Sequence, residues 1–224
     1  MRDQSRCQAS GHASKGHDVT DLVIGEDGKA RCRWGSTDEL YREYHDKEWG
    51  RPVTKERGLY EKLCLECLQS GLSWALILRK RDGIRAAFAG FDPDAVAGFG
   101  RKGLEALLQD PRVIRNRRKL EAIVQNARAT VEMRDDTPLP ELVWSFRPTA
   151  RKAPRAYAET GSLSEESKQL AKELKRRGFA FVGPTTVYST MQAVGLVNDH
   201  LAGCFVREEV EAAQRDVQRL SPSR

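Results

Sequence analysis

The sequence predicts an all-α domain, and three features lead to it. From residue 31 to residue 208 the apolar pattern has helical spacing. Val, Ile and Thr never alternate in strand fashion over more than a few residues. Residues that open and close helices punctuate the chain at short intervals.

The elements follow in order. Residues 1–30 read as a disordered N-terminal tail, because Ser, Gly, His and charge dominate and no helical period is present. Its Cys7, His12 and His17 are scattered potential ligands that do not make a closed metal site. Ser36 with Glu39 predicts a capping box for a helix over 37–48. Thr54 opens the next helix, which runs to Ser70 and stops at Gly71. Ser73 caps a third over 74–88, and Asp92-Pro93 starts a short one, since proline suits the first helical position. Further helices are expected near 101–109, 115–134, 138–146, 164–177, 184–195 and 198–203. Residues 147–162 read as a basic loop. The expected division is a tail over 1–30, one domain over 31–208 and a C-terminal tail over 209–224.

Composition narrows the class. The chain has 224 residues, room for one well-cored domain or two small ones. It contains no apolar run of the length a membrane span needs, and its N-terminus lacks the apolar stretch of a secretory signal. A formal charge of +6 admits nucleic acid as a partner without requiring it. The five cysteines, at 7, 32, 64, 67 and 204, are too few and too spread for a secreted disulfide scaffold, so a cytoplasmic location is expected.

Four groups of residues carry chemistry. Cys32, His45, His200 and Cys204 supply two thiols and two imidazoles, the inventory of a closed tetrahedral zinc site tying both ends of the domain together. His200 and Cys204 are four apart, a step that puts both on one face of a helix. Tyr41, Tyr44, His45 and Glu48 share one helical stripe, either a polar-aromatic wall or buried tyrosines with satisfied hydroxyls. Glu66 sits in an otherwise apolar helical run with Leu63, Leu65 and Cys67, turned to solvent or held in a pocket for a purpose. After it, Gly71 ends the helix, Leu72 is left at the tip of the turn and Trp74 begins the next helix. The segment 110–119 holds Arg112, Arg115, Arg117, Arg118 and Lys119 against Asp110 alone; it suits phosphate oxygens or is a solvated basic turn. Cys64 and Cys67, at i and i+3 among apolar neighbours, read as core thiols.

Together these segments resemble the 3-methyladenine DNA glycosylase I family of the helix-hairpin-helix DNA repair superfamily. The resemblance is carried by RCRWGSTDELYREYHDKEWG (31–50), LCLECLQSGLSW (63–74), FDPDAVAGF (91–99), VWSF (143–146) and GFAFVGPTTVYSTMQAVGLVNDHLAGC (178–204), and covers about residues 31–206. It implies a structural Zn2+ on Cys32, His45, His200 and Cys204, and a base pocket of Tyr41, Tyr44, Trp74 and Trp34 with Glu66 as the catalytic carboxylate. It implies DNA contacts from Gly71 and the wedge Leu72, with Arg115, Arg117 and Lys119 of a helix-hairpin-helix on phosphates. The implied activity is hydrolysis of the N-glycosidic bond of flipped-out 3-methyladenine in alkylated double-stranded DNA, without strand cleavage, by a monomer. This sequence departs from the family where Cys67 and Leu68 follow the pocket glutamate and where Arg112 stands in place of a hairpin glycine. Those departures motivate a second reading, a zinc-stabilised DNA-binding protein that has lost turnover, and a third, a shifted substrate range.

Overall fold

The computed structural model describes residues 21–149 and 151–220, so the scattered Cys7, His12 and His17 lie outside the described residues. The fold is helical, as expected, with one small addition. Two strands, β1 (Leu22–Ile24) and β2 (Ala30–Cys32), pair antiparallel in the register Leu22 with Cys32, Val23 with Arg31 and Ile24 with Ala30. The expected tail boundary at residue 31 is therefore corrected: the described chain already forms a hairpin from Leu22. Three-residue strands are too short to show an alternation, which is why the sequence pattern hides them.

A 3-10 turn (Arg33–Ser36) leads into α1 (Glu39–Lys47). Its cap is Asp38, whose side chain accepts from Tyr41 N at 2.8 Å, and not Ser36, which is already used inside the 3-10 turn. α2 spans Glu56–Gln69, preceded by Lys55 with no side-chain cap, so Thr54 does not open it. α3 (Trp74–Ala87) is capped by Ser73, as expected, and α4 (Pro93–Ala97) by Asp92. There follow α5 (Arg101–Gln109), α6 (Arg117–Glu132) capped by Asn116, α7 (Leu139–Ser145), α8 (Glu165–Arg176) with a Ser164–Ser167 capping box, and α9 (Pro184–Ala193).

Two expectations fail beyond α9. Residues 198–203 form turns, not a helix, so the four-residue step from His200 to Cys204 is made by a turn in which Cys204 N donates to Leu201 O at 2.8 Å. The C-terminal stretch expected as a tail instead carries α10 (Arg207–Leu220). This helix is amphipathic: Val210 is buried, and Gln214 Nε2 donates to Gly195 O at 2.8 Å. The bidentate pair of Arg51 with Glu209 ties it to the segment after α1.

α2 is the axis of the molecule. It is buried on nearly every side and packs against α3, α6, α7 and α9, which is how an all-round apolar helix satisfies its surface. Leu59, Tyr60, Leu63 and Leu65 fill the core, each worth roughly 1.5–3 kcal/mol when fully buried. Cys64 and Cys67 are buried there too, and burial pushes the Cys67 thiol up to about 12. A central, rigid helix is also what carries Glu66.

Candidate active site and metal centre

The side chains expected to ligate a metal converge from three places. Cys32 ends the hairpin, His45 sits on the last turns of α1, and His200 and Cys204 lie in the turns before α10. All four are buried, and their donor atoms lie within 4.8 Å of one another, a cluster able to hold a metal ion. Cys204 Sγ is 3.5 Å from both His45 Nε2 and His200 Nδ1, and Cys32 Sγ is 4.0 Å from His200 Nδ1. The edges of a tetrahedron with metal–sulfur bonds of about 2.3 Å and metal–nitrogen bonds of about 2.0 Å are of that size. The far ring nitrogens are held as well. His45 Nδ1 donates to Asp46 Oδ1 at 2.8 Å and His200 Nε2 donates to Trp49 O at 3.1 Å, which leaves one lone pair of each ring facing the cluster. Asp46 is gripped by Arg31, which also pairs with Asp27 in the hairpin turn.

The second site opens beside it. A cavity of about 440 Å³ has Trp34, Tyr41, Tyr44, Trp49, Glu66 and Trp74 in its lining. Tyr44 and Trp74 are 5.3 Å apart, centre to centre, and Trp34 stands edge-on to Tyr41 at 6.1 Å. Trp34 also lies 5.1 Å from His45, so one indole is shared by the cavity and the metal cluster. The Tyr41 hydroxyl accepts from Ala75 N at 3.1 Å and thereby fixes α1 to the first turn of α3.

Glu66 is 7 % exposed and has no hydrogen-bond partner among the described residues. Burial raises its carboxyl from the usual 4.5 to about 8, with the Lys62 ammonium pulling the other way. The Tyr44 hydroxyl and Trp74 Nε1 are likewise buried without a partner. Two buried polar groups left unsatisfied beside one cavity are costly for the free protein, and a ligand that meets them removes that cost.

The rest of the lining is not expected from the sequence: Tyr157 from the basic loop, whose hydroxyl accepts from Trp34 N at 3.2 Å, Ser189 and Gln192 on α9, and Asp199. Asp199 Oδ2 accepts from Tyr188 Oη at 2.7 Å and from Gln192 Nε2 at 2.9 Å. The three-residue step from Ser189 to Gln192 marks one helix face, and Asp199 precedes His200; those are the only sequence signals for this part of the lining.

The turn between α2 and α3 is braced at its base. Leu72 N donates to Gln69 O at 2.6 Å, and Gln69 Nε2 donates to Leu72 O at 2.8 Å. Gly71 sits at φ +77, the left-handed region that favours glycine, and Leu72 is half-exposed at the tip. In the basic segment the residues divide. Arg115 is exposed, and Arg117 pairs with Glu105 of α5 at 3.0 Å. Lys119 departs from its expected place on phosphate: it is buried, and its ammonium donates to the carbonyls of Leu68 and Ser70. It satisfies the open carbonyls at the end of α2, which attract a cation through the helix dipole. Arg112 is drawn onto Asp110 at 2.7 Å.

A helical body holding a buried carboxylate at the head of an aromatic-walled cavity is the frame of an enzyme that receives a planar, electron-poor ring. The family model for methyladenine glycosylase matches residues 34–208. The chain is 47% identical over 178 residues to the DNA-3-methyladenine glycosylase 1 of Escherichia coli, covering 78% of this chain and 95% of that protein. It is 43% identical over 178 residues to the DNA-3-methyladenine glycosylase of Haemophilus influenzae, covering 78% and 96%. Among solved structures, a crystal structure of a 3-methyladenine DNA glycosylase I superposes with a TM-score of 0.75 at 46% identity, covering 78% of this chain and 98% of that one. The Staphylococcus aureus enzyme, whose structure addresses 3-methyladenine recognition, also gives 0.75, at 33% identity, covering 79% and 96%. The chain belongs to the methyladenine glycosylase family.

Proposed function

We propose that the protein is a monofunctional DNA glycosylase that hydrolyses the N-glycosidic bond of 3-methyladenine flipped out of alkylated duplex DNA, leaving an abasic site. The observation that carries the reading is the buried carboxyl of Glu66 lining one cavity with the orphaned Tyr44 hydroxyl and Trp74 indole.

Alkylation at N3 makes the adenine of the substrate cationic and a good leaving group. The electron-rich faces of Trp74 and Tyr44 stack on that cation, each contact worth roughly 0.5–2 kcal/mol. Glu66 accepts from the exocyclic amine and favours the positive ring. Neutral adenine gains neither electrostatic term, so the pocket separates damaged from normal base by charge. The glycosidic bond then breaks heterolytically, the electron pair leaves with the base, and water adds to the sugar. Among the described residues no lysine lines the cavity, so no strand cleavage is expected.

Leu72, held by the Gln69 brace, is the wedge that fills the stack the base has left. The turn between α5 and α6, residues 110–116, is the hairpin of a helix-hairpin-helix that lies on the phosphates, with Arg115 and Arg117 contributing charge. The cluster Cys32, His45, His200 and Cys204 holds Zn2+: two thiolates and two imidazoles suit that ion, and four protein donors complete its coordination. When bound, the ion is a structural clamp. The enzyme acts as a monomer, and among the described residues no helix is long and apolar enough to cross a membrane.

The test is to incubate the purified protein with methylated duplex DNA and identify the bases released. Release of 3-methyladenine is the expected result; release of other alkylated bases indicates a retuned pocket. No release by folded, metal-loaded protein overturns the reading in favour of a DNA-binding protein without turnover.

A further inference from the structure

The cavity holds a second carboxylate to which the reaction described so far gives no role. Asp199 lies in the turns after α9, is buried, and lines the same cavity as Glu66; among the described residues these are the two acidic side chains in its lining. Asp199 is firmly held by one oxygen. Its Oδ2 accepts from Tyr188 Oη at 2.7 Å and from Gln192 Nε2 at 2.9 Å, both on α9, whereas its Oδ1 accepts no hydrogen bond among the described residues. Behind it, Arg151 Nη1 donates to Tyr188 Oη at 2.9 Å, so this cation is linked to the carboxylate only through a hydroxyl. A carboxylate fixed by one oxygen, with the other left over beside a cavity, is preorganised to meet positive charge on a bound molecule.

We propose that Asp199 is a further catalytic residue: its Oδ1 faces the deoxyribose of the flipped nucleotide, stabilises the positive charge that develops there and holds the water that attacks it. This inference rests on the glycosylase reading above.

The lining divides by chemistry. Trp34, Tyr41, Tyr44 and Trp74, with Glu66, supply stacking faces and one acceptor, which suits a planar cationic base. Thr160, Ser189, Gln192 and Asp199 supply hydroxyls, an amide and a carboxylate, which suits a sugar and a water molecule. Ser189 and Gln192 are three apart on α9, so the hydroxyl shares a helix face with the amide that grips Asp199.

The charge moves in the same direction. When the bond between the base and C1′ breaks, its electron pair goes to the base, which leaves neutral, and the sugar becomes an oxocarbenium-like cation. Glu66 loses its electrostatic advantage in that step, because the base it accepts from is no longer cationic. A carboxylate at the sugar gains in the same step, and an interaction stronger in the transition state than in the ground state is what lowers a barrier. Water, held by Oδ1 as acceptor, then forms its bond to C1′ and its proton passes to solvent. Asp199 needs no change of protonation in this role.

The experiment compares wild type, Asp199→Asn, Glu66→Gln and Tyr188→Phe, all metal-loaded. Affinity for free 3-methyladenine, which has no sugar, is measured beside kcat and KM for its release from methylated duplex. Binding of two further duplexes is then compared: one carries a pyrrolidine nucleotide, whose cationic ring mimics the charged sugar, and the other a neutral tetrahydrofuran of the same shape. Asp199→Asn should keep the free-base affinity and KM of wild type while kcat falls by roughly 100-fold. Glu66→Gln should lose free-base affinity. Wild type and Glu66→Gln should bind the pyrrolidine duplex roughly ten-fold or more tighter than the tetrahydrofuran duplex, and Asp199→Asn should not. Tyr188→Phe frees Oδ2 of one donor but keeps the charge. It should slow release by a smaller factor with free-base affinity unchanged, and it carries the test if Asp199→Asn does not fold; unchanged release in it would then overturn the inference. No pyrrolidine preference in wild type overturns it whatever the variants do, and so does an Asp199→Asn protein of normal fold and metal content that keeps the preference. Free-base affinity falling as far as kcat in Asp199→Asn would place Asp199 on the base and overturn it too. In each of these cases wild type still releases 3-methyladenine and the glycosylase reading stands. Should wild type release no base at all, that reading falls and the inference with it.

Discussion

Cys204 Sγ lies 3.5 Å from His45 Nε2 although 159 positions separate them in the sequence. One contact thus joins α1 to the turns before α10, and Cys32 with His200 completes the closure. A metal held there, as proposed, would tie distant segments, remove a large loop from the unfolded ensemble and add its binding free energy to that of folding. Chelation of the purified protein at neutral pH should therefore lower the melting temperature sharply, and Cys204→Ser should prevent metal retention. Metal analysis beside calorimetry checks both. An unchanged melt in metal-free protein would rule out the clamp.

The support behind the ligands gives a finer prediction. Asp46 accepts from His45 Nδ1 and is itself held by the Arg31 guanidinium, which keeps the Asp46 carboxyl below its ordinary range. Asp46→Ala should weaken metal affinity by about 10–100-fold, the usual effect of removing such a partner. Arg31→Ala should act in the same direction, since it frees Asp46 and unpairs Asp27. Competition with a chromophoric chelator measures both; affinity equal to wild type in Asp46→Ala would mean that His45 is oriented by packing alone.

Glu66 ties function to stability. On the proposed reading, replacing it by Gln removes the charge that favours a cationic base, and a charge-assisted hydrogen bond of about 1.5–3 kcal/mol corresponds to roughly 10–100-fold in rate. Excision should fall by that order while affinity for undamaged duplex stays near wild type. The stability effect has a definite sign. The folded carboxyl titrates near 8 against 4.5 when unfolded, so between those values the native state binds more protons and stability falls as pH rises. Glu66→Gln has no such proton to lose. Its melting temperature should exceed that of wild type at pH 8 and above, and the advantage should vanish towards pH 4.5. A pH-independent difference would show that Glu66 is ionised or solvated in the free protein.

Much of this was legible before any coordinates, for reasons that differ by residue. For Glu66 the sequence leaves two places open, solvent or a pocket, and burial beside the cavity decides for the pocket; Cys32, His45, His200 and Cys204 are legible because thiols and imidazoles are rare enough to count. The hairpin and α10 were hidden: three-residue strands have no readable period, and α10 begins where the family pattern ends. Gln192 reaches the cavity from α9 and Asp199 from the turns that follow it, a tertiary fact. Lys119 shows the limit most sharply. In a run of five basic residues it reads as one more phosphate contact, and nothing local says that the open end of α2 lies above it.

The α2–α3 turn yields a prediction about backbone shape. A Cβ added at Gly71 meets nothing within 4 Å, so the position has room, but its φ of +77 is strained for any other residue. Gly71→Ala should cost roughly 1–2 kcal/mol locally, by the left-handed penalty, and should displace Leu72 from the tip. Leu72→Ala leaves the backbone alone and removes the side chain proposed as the wedge. Both should slow excision from duplex more than from single-stranded substrate, where no gap has to be filled. Equal slowing on the two substrates would show that the turn shapes the pocket and does not enter the stack.

Lys119 and Arg115 form the last contrast. They are four apart in the same basic segment, yet Arg115 is exposed and Lys119 is buried on the Leu68 and Ser70 carbonyls. Counterion release makes each phosphate contact worth about one unit in the slope of log affinity against log salt. Arg115→Ala should lower that slope by about one and leave the melting temperature within a degree or two, as for most surface substitutions. Lys119→Ala should do the reverse. It leaves two carbonyls at the end of α2 without their donor, which costs about 1–3 kcal/mol for buried groups, and it loosens the turn that carries Gly71 and Leu72. Stability and single-turnover excision should fall together, with the salt slope unchanged. Salt titrations of duplex binding beside thermal melts separate the two residues, and a reduced slope in Lys119→Ala would show that its ammonium leaves the α2 carbonyls to meet the DNA.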